Sequence, residues 1–372
     1  MLREKTTLRA VAIGAAVCAG VGAICASLVL LGNPGNMGIC GACFLRDIAG
    51  AVGFIQTGKG PACFRPEVAG VMLGALGLAL LRRNFTARSG SHAVTRFVFG
   101  IWMAIAALVF LGCPFRLLQR LGGGDLNAWI ALPGFVAGVA AAMLFERNGY
   151  HIGATQKSPA PVGILGPLAV VAVGAIYMKG GLLLGPGPNA EPGTPPPHAP
   201  WVWALVLAVL GGAALSASGF CVINAVRQLF QRGKKAMLIS TVALVAAYAV
   251  VLLVAGKLNV SVDGQPIAHS DHVASALALF LLGLTGAFAG GCPVRQVVMA
   301  GEGNGDAFVG VAGIVVGAAI AHNFGLVSAA SSSAVSGGAT DGARLVLICG
   351  IVFSLLYARV IGSFYPRESP SK

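Results

Sequence analysis

Acidic side chains are nearly missing from this sequence: 372 residues carry 12 Asp and Glu against 25 Lys and Arg. Charged residues of every kind make up 10% of the chain, where soluble domains carry roughly 25%. So few charges cannot coat a globule of this size, which excludes a soluble enzyme. The chain has no Gly-X-Y period, which excludes collagen, and too much apolar character for a disordered chain. It also lacks a basic stripe interleaved with aromatics. The net charge of +13 is therefore not read as a nucleic-acid surface. What is present is apolar and small: 56% hydrophobic residues, 54 glycines and a mean hydropathy of +0.84. Abundant Gly and Ala fit helices whose backbones approach closely in lipid. The sequence is that of a polytopic membrane protein.

Ten apolar stretches approach the ~20 residues that cross a bilayer: 8–31, 66–82, 94–112, 128–145, 162–184, 201–217, 236–255, 273–291, 307–324 and 342–361. No ten-residue alternating segments of a barrel occur, so an all-α fold is expected. The first stretch, preceded by Arg3, Lys5 and Arg9, has a longer apolar core than a signal peptide and reads as an uncleaved span. If the N-terminus is cytoplasmic, sixteen Lys and Arg fall on inside segments and six on outside ones. That bias places both termini inside. The Pro/Gly-rich stretch 185–200 reads as an extended linker between a first membrane repeat, 1–184, and a second, 201–372.

Landmarks recur in the same order on either side of that linker. Gly38-Ile39-Cys40 with Arg46 six residues on is matched by Gly219-Phe220-Cys221 with Arg227. Gly112-Cys113-Pro114-Phe115-Arg116 is matched by Gly291-Cys292-Pro293-Val294-Arg295. The offsets are 179 to 181 residues, and His92 and His272 keep the same step. Five spans per half is an odd number, so the second copy must enter the membrane with opposite polarity. Such inverted repeats place the substrate near the midplane, among interrupted helices. The segments after Cys40, Cys113, Cys221 and Cys292 are too short or broken to span and are expected to be re-entrant.

Gly-Cys-Pro opens a helix, since Pro suits its first turn and Gly admits close approach. A cysteine at a helix N-terminus near a guanidinium favours thiolate, and the same positive end attracts an anion. Cys40, Cys113, Cys221 and Cys292, with Arg46, Arg116, Arg227 and Arg295, are therefore the candidate permeation residues. Cys40-Gly41-Ala42-Cys43 is a CxxC, but the second half has Asn224 in place of Cys43. Cys43 and Cys63 are candidates for redox chemistry or a disulfide with Cys40 on the outer face. No second CxxC or His-rich partner completes a metal site. Gly301-Glu302-Gly303-Asn304-Gly305 lacks the Lys-Ser/Thr of a P-loop, so neither nucleotide nor cofactor is implied. Arg46–Asp47 and Arg65–Glu67 are expected to form local ion pairs. His92 and His272 read as helix-start residues, and Cys18, Cys25 and Cys349 as packing residues.

The run Gly35-Asn36-Met37-Gly38-Ile39-Cys40-Gly41-Ala42-Cys43-Phe44-Leu45-Arg46-Asp47, with the two later Gly-Cys-Pro-x-Arg copies, resembles the YeeE/YedE sulfur-transport family. It looks most like the YedE branch associated with selenium metabolism. The resemblance implies an hourglass-shaped protein of the bacterial inner membrane, narrow at its centre, with re-entrant helices and cysteines lining the constriction. It further implies a non-enzymatic permease in which Cys40, Cys113 and Cys292 hand on a thiosulfate-like or selenium-containing anion by transient S–H···S contacts. Cys221 is the repeat partner of Cys40. A cytoplasmic small sulfur-carrier protein is an expected partner. The competing expectation is a membrane thiol–disulfide oxidoreductase using Cys40 and Cys43.

Overall fold

Each of the ten apolar stretches contains a helix in a computed structural model of the chain, which describes residues 2–58, 62–180, 189–190, 196–233, 235–332 and 336–364. The long helices are α1 (Leu2–Leu30), α3 (Pro66–Leu81), α4 (Ala93–Phe110), α6 (Leu126–Arg147), α7 (Ala160–Met178), α8 (Trp201–Ser218), α10 (Ala236–Val254), α11 (His272–Phe288), α13 (Gly305–Asn323) and α14 (Asp341–Phe364). Four short helices lie between them: α2 (Gly41–Ala51), α5 (Pro114–Gly122), α9 (Val222–Arg227) and α12 (Pro293–Gly301). Among the described residues, nine helical segments are long and apolar enough to cross a membrane. At 16 residues, α3 reaches about 24 Å and is shorter than the hydrocarbon core. Among the described residues, strand is confined to two-residue ladders, such as Arg88–Ser89 with Gln156–Lys157. Much of the expected linker 185–200 lies outside the described residues, as do Lys59, Lys234, Arg367 and Lys372 of the charge tally.

The centre of the molecule is formed by α4 and α11, which pack on one another. The segments containing them are 78% and 72% buried, against 22% for the α14 segment at the rim. Around them, α3 packs on α8, α1 on α10, α4 on α13 and α6 on α11. Every one of these pairs joins a helix before residue 185 to one after residue 200, so the two parts of the chain share one core. Close approach is made by glycine. On α3, Gly74 lies against the Val209 carbonyl of α8, while Gly212 of α8 lies against the Val71 carbonyl of α3. Any Cβ at either position would overlap backbone. In lipid, where helices gain nothing from escaping water, such contact is the main source of association.

Replacing Gly212 by Ala is expected to cost about 1–3 kcal/mol, the usual penalty for overpacking. The control is Gly77→Ala, because Gly77 on the same α3 has open space where a Cβ would stand. Thermal unfolding of the detergent-solubilised chain checks this; equal melting temperatures for the two variants would contradict the packing account.

Candidate functional site

All four repeated cysteines sit at the N-cap of a short helix: Cys40 before α2, Cys113 before α5, Cys221 before α9 and Cys292 before α12. Sequence dictates this locally. Pro114 and Pro293 occupy the first turns of α5 and α12, where a missing N–H costs nothing and φ is already helical. The cysteines hold extended backbone, so each marks a break between a long helix or loop and a buried short one. None of the four is more than 3% exposed.

The breaks converge. The Cys40 thiol donates to Cys113 Sγ at 3.6 Å and accepts from the Cys43 N–H at 3.4 Å. Cys221 and Cys292 form a second side-chain pair, and Cys292 also lies within electrostatic range of Cys113. Two further contacts tie the pairs together. Gly41 of α2 abuts Pro293 and Val294 of α12, with no room for a side chain. Phe115 of α5 meets Phe220, the residue before Cys221, edge-on at 6.0 Å. Residues from both parts of the sequence thus place four thiols at one buried locus. The space beside Cys40 is about 10 Å³, bounded by Phe44, Glu67 and Val294 among others, which is room for one water.

The four candidate arginines each have partners of their own. Arg46 holds Asp47 at 2.6 Å, and Arg227 holds Glu146 at 2.5 Å. Arg295 makes a two-point contact with Glu302, at 3.1 and 3.2 Å. Arg116 is fully buried and donates to the carbonyls of Asn36, Gly35, Pro266, Ile267 and Leu111. Its charge acts on both Cys40 and Cys43. Cys43 and Cys63 are buried free thiols, and Cys63 donates to the Phe64 carbonyl at 3.4 Å. Cys18 and Cys25 are packed inside as expected, whereas Cys349 is exposed on α14. His92 precedes α4 as its N-cap, and His272 opens α11.

Arg65 differs from its expected pairing. It bonds Asp47 through Nε at 2.6 Å, with both side chains fully buried, and lies 4.7 Å over the Phe44 ring. Glu67 instead accepts from Asn33 Nδ2 at 2.7 Å. Asp47 therefore binds two guanidinium groups, which suits a buried carboxylate better than one neighbour along the helix. A second buried pair, Arg120–Asp125 at 2.6 Å, closes the turn after α5. Gln119 was not foreseen. Its Oε1 accepts from the Gly38 N–H at 2.7 Å, and its Nε2 donates to the Ile39 carbonyl at 2.6 Å. This clamps the peptide that leads into Cys40. The one sequence signal for it was a neutral amide between Arg116 and Arg120 in the short segment after Cys113.

No three His, Cys, Asp or Glu side chains gather to hold a metal among the described residues. Residues 217–362 match the family model described as Sulphur transport. The matched stretch takes in Cys221, Arg227, Cys292 and Arg295. No curated protein matches the chain.

Asp47→Asn removes the carboxylate that two guanidinium groups share, so it should destabilise the protein by about 3–5 kcal/mol, as breaking a buried ion pair does. Thermal unfolding in detergent is the measurement. A variant that melts with the wild type would remove Asp47 from the structural framework of the site.

Proposed function

We propose that the chain is a membrane permease for a small sulfur- or selenium-containing anion, passed through a central constriction by cysteine thiols. The observation that carries this reading is the meeting of four N-capping cysteines, two from each part of the sequence, at one buried locus. The sulphur-transport match over residues 217–362 and the nine apolar helical segments support a multi-pass membrane transporter of a sulfur compound. The finer reading concerns substrate and mechanism. Thiols are soft, polarizable and weakly hydrogen-bonding, which suits a terminal sulfur or selenium more than a hard oxygen. The first turns of α2, α5 and α12 add backbone N–H groups with no intrahelical carbonyl and positive dipole ends that favour an anion. Several weak sites in series allow an ion to leave as well as enter. With no nucleotide motif in the sequence, the driving force is taken to be a gradient.

The architecture behind this reading is an inverted repeat. If α1, α3, α4 and α6 correspond to α8, α10, α11 and α13, the α3–α8 pairing is reciprocated by α10–α1, and α4–α13 by α11–α6. A two-fold axis in the membrane plane would bring about this exchange, and the short helices would then dip in from opposite faces. The charge bias puts both termini on the cytoplasmic side of a bacterial inner membrane, where a small sulfur-carrier protein is the natural recipient. Transport is favoured over thiol–disulfide exchange because Cys40 contacts the Cys113 thiol, at 3.6 Å, as well as that of Cys43, and the CxxC is not repeated in the second part of the sequence, where Asn224 stands in place of Cys43.

In cells that depend on this protein, Cys113→Ala and Cys292→Ala should each lower uptake of labelled thiosulfate at least tenfold, whereas Cys43→Ala should retain most of it. Competition by selenite and selenosulfate ranks the substrates. Unimpaired uptake by both Cys113→Ala and Cys292→Ala would sink the thiol relay, and a disulfide cycling between Cys40 and Cys43 during turnover, seen by mass spectrometry, would support the redox reading.

A further inference from the structure

A second polar feature lies off the thiol locus. Where α3 and α8 end, a recess of about 300 Å³ is walled by Arg82, Arg88 and Arg295 with Asn84, Ser216 and a single carboxylate, Glu302. Three guanidinium groups against one carboxylate leave the recess positive. It adjoins the thiols along the chain: Arg295 is one helical turn beyond Cys292, and Ser216 lies five residues before Cys221.

The contacts of Glu302 show what the recess can hold. Its Oε1 accepts from Arg295 Nη1 at 3.1 Å and Ser216 Oγ at 2.9 Å. Its Oε2 accepts from Arg295 Nη2 at 3.2 Å, with Arg88 Nη2 at 3.6 Å. Arg295 thus presents its fork to a two-oxygen anion, the geometry in which guanidinium recognises carboxylate, sulfate and phosphate alike. Arg82, the C-cap of α3, makes no ion pair among the described residues and is exposed at the rim of the recess.

Resting on the transport reading, we propose that this recess is a binding site for a tetrahedral chalcogen oxyanion, such as thiosulfate or selenosulfate. Glu302 is its resident counter-anion, displaced from the Arg295 fork when the ion binds. The oxyanion's oxygens take the place of the two carboxylate oxygens on Arg295, and Arg88 and Arg82 neutralise the remaining charge. The carboxylate then serves release. Three arginines alone would hold a dianion too tightly, and a tethered competitor returns to the fork as the ion departs. No bond is made or broken and no proton is transferred.

The test uses the full chain in vesicles of determined orientation, with labelled thiosulfate offered from either side. Arg82→Ala/Arg88→Ala should raise the half-saturating concentration about tenfold on the face bearing the recess and leave the opposite face unchanged. Glu302→Gln should lower it on the same face while slowing maximal turnover, and Arg88→Lys should restore part of the loss in the double variant. A purely structural role would change transport equally from both faces, and that result, or no change at all, overturns the proposal. Should the wild-type protein carry neither thiosulfate nor selenosulfate, the transport reading is what fails. The recess is then judged by calorimetry with sulfate on the solubilised chain. There the double variant must bind about tenfold more weakly than the wild type; sulfate binding that is absent from the wild type or unaffected by the substitutions overturns the site as well.

Discussion

A helix interrupted in an apolar interior leaves peptide groups that no water can reach, and the rest of this structure is organised around satisfying them. At a helix end the last carbonyls lack partners, and in a buried setting each one left unpaired costs several kcal/mol. The buried polar side chains go largely to this task. At the end of α4, Arg120 donates to the Phe110 carbonyl and Arg116 to that of Leu111. At the end of α11, Arg96 and Gln296 both donate to the Ala289 carbonyl. Before α2, Gln119 serves Gly38 and Ile39. The thiol locus exists because these groups keep the broken backbone in place around it.

Different residues do the same work at corresponding places. The α4 end relies on arginines from the following short helix, α5. The α11 end relies on one glutamine from its own short helix, α12, and one arginine from α4. The packing departs from symmetry in the same way: α7 lies against α3, α12 and α13, whereas α14 packs chiefly on α11. A groove lined by Leu117, Phe135, Val226 and Val245 opens between α5, α6, α9 and α10, of which α5, α6 and α10 are the counterparts under the proposed repeat of the helices α7 lies against. Under the proposed repeat, two copies that keep their backbone breaks are free to satisfy them with whatever polar side chain reaches.

This explains what was legible in the sequence. Helix positions followed from apolar runs, and the four N-caps followed from Gly-Cys-Pro and Gly-x-Cys, because both signals are local. The partners of Arg65, Arg116 and Gln119 were not legible, since each reaches residues 18 to 151 positions away. Spacing alone favoured Arg65–Glu67, and burial reassigned both: a carboxylate deep in the fold gains more from two guanidiniums than from one, and Glu67 found the Asn33 amide. The arginine beside each cysteine was visible as a motif, but its target, whether carbonyl or carboxylate, depended on tertiary packing. The exposure of Cys349 was likewise invisible, because an apolar span reads the same on its lipid face as on its packed face.

The same tight closure bears on movement. The free space beside Cys40 is about 10 Å³, less than any chalcogen oxyanion occupies, so on the permease reading the ion passes only if a wall gives way. Long helices are poor candidates, because α3–α8 and α1–α10 meet through glycine-to-carbonyl contacts that separate only at the loss of much packing. The junction of α2 and α12 is held differently. Its close backbone contact is Gly41 against the first turn of α12 at Pro293 and Val294, and no hydrogen bond between the two helices is among those described. Short helices held by side-chain clamps at one end pivot at far lower cost than full spans slide. On the permease reading, the element that carries the thiol is therefore also the one whose displacement would open a path, with clamps such as Gln119 limiting how far it travels.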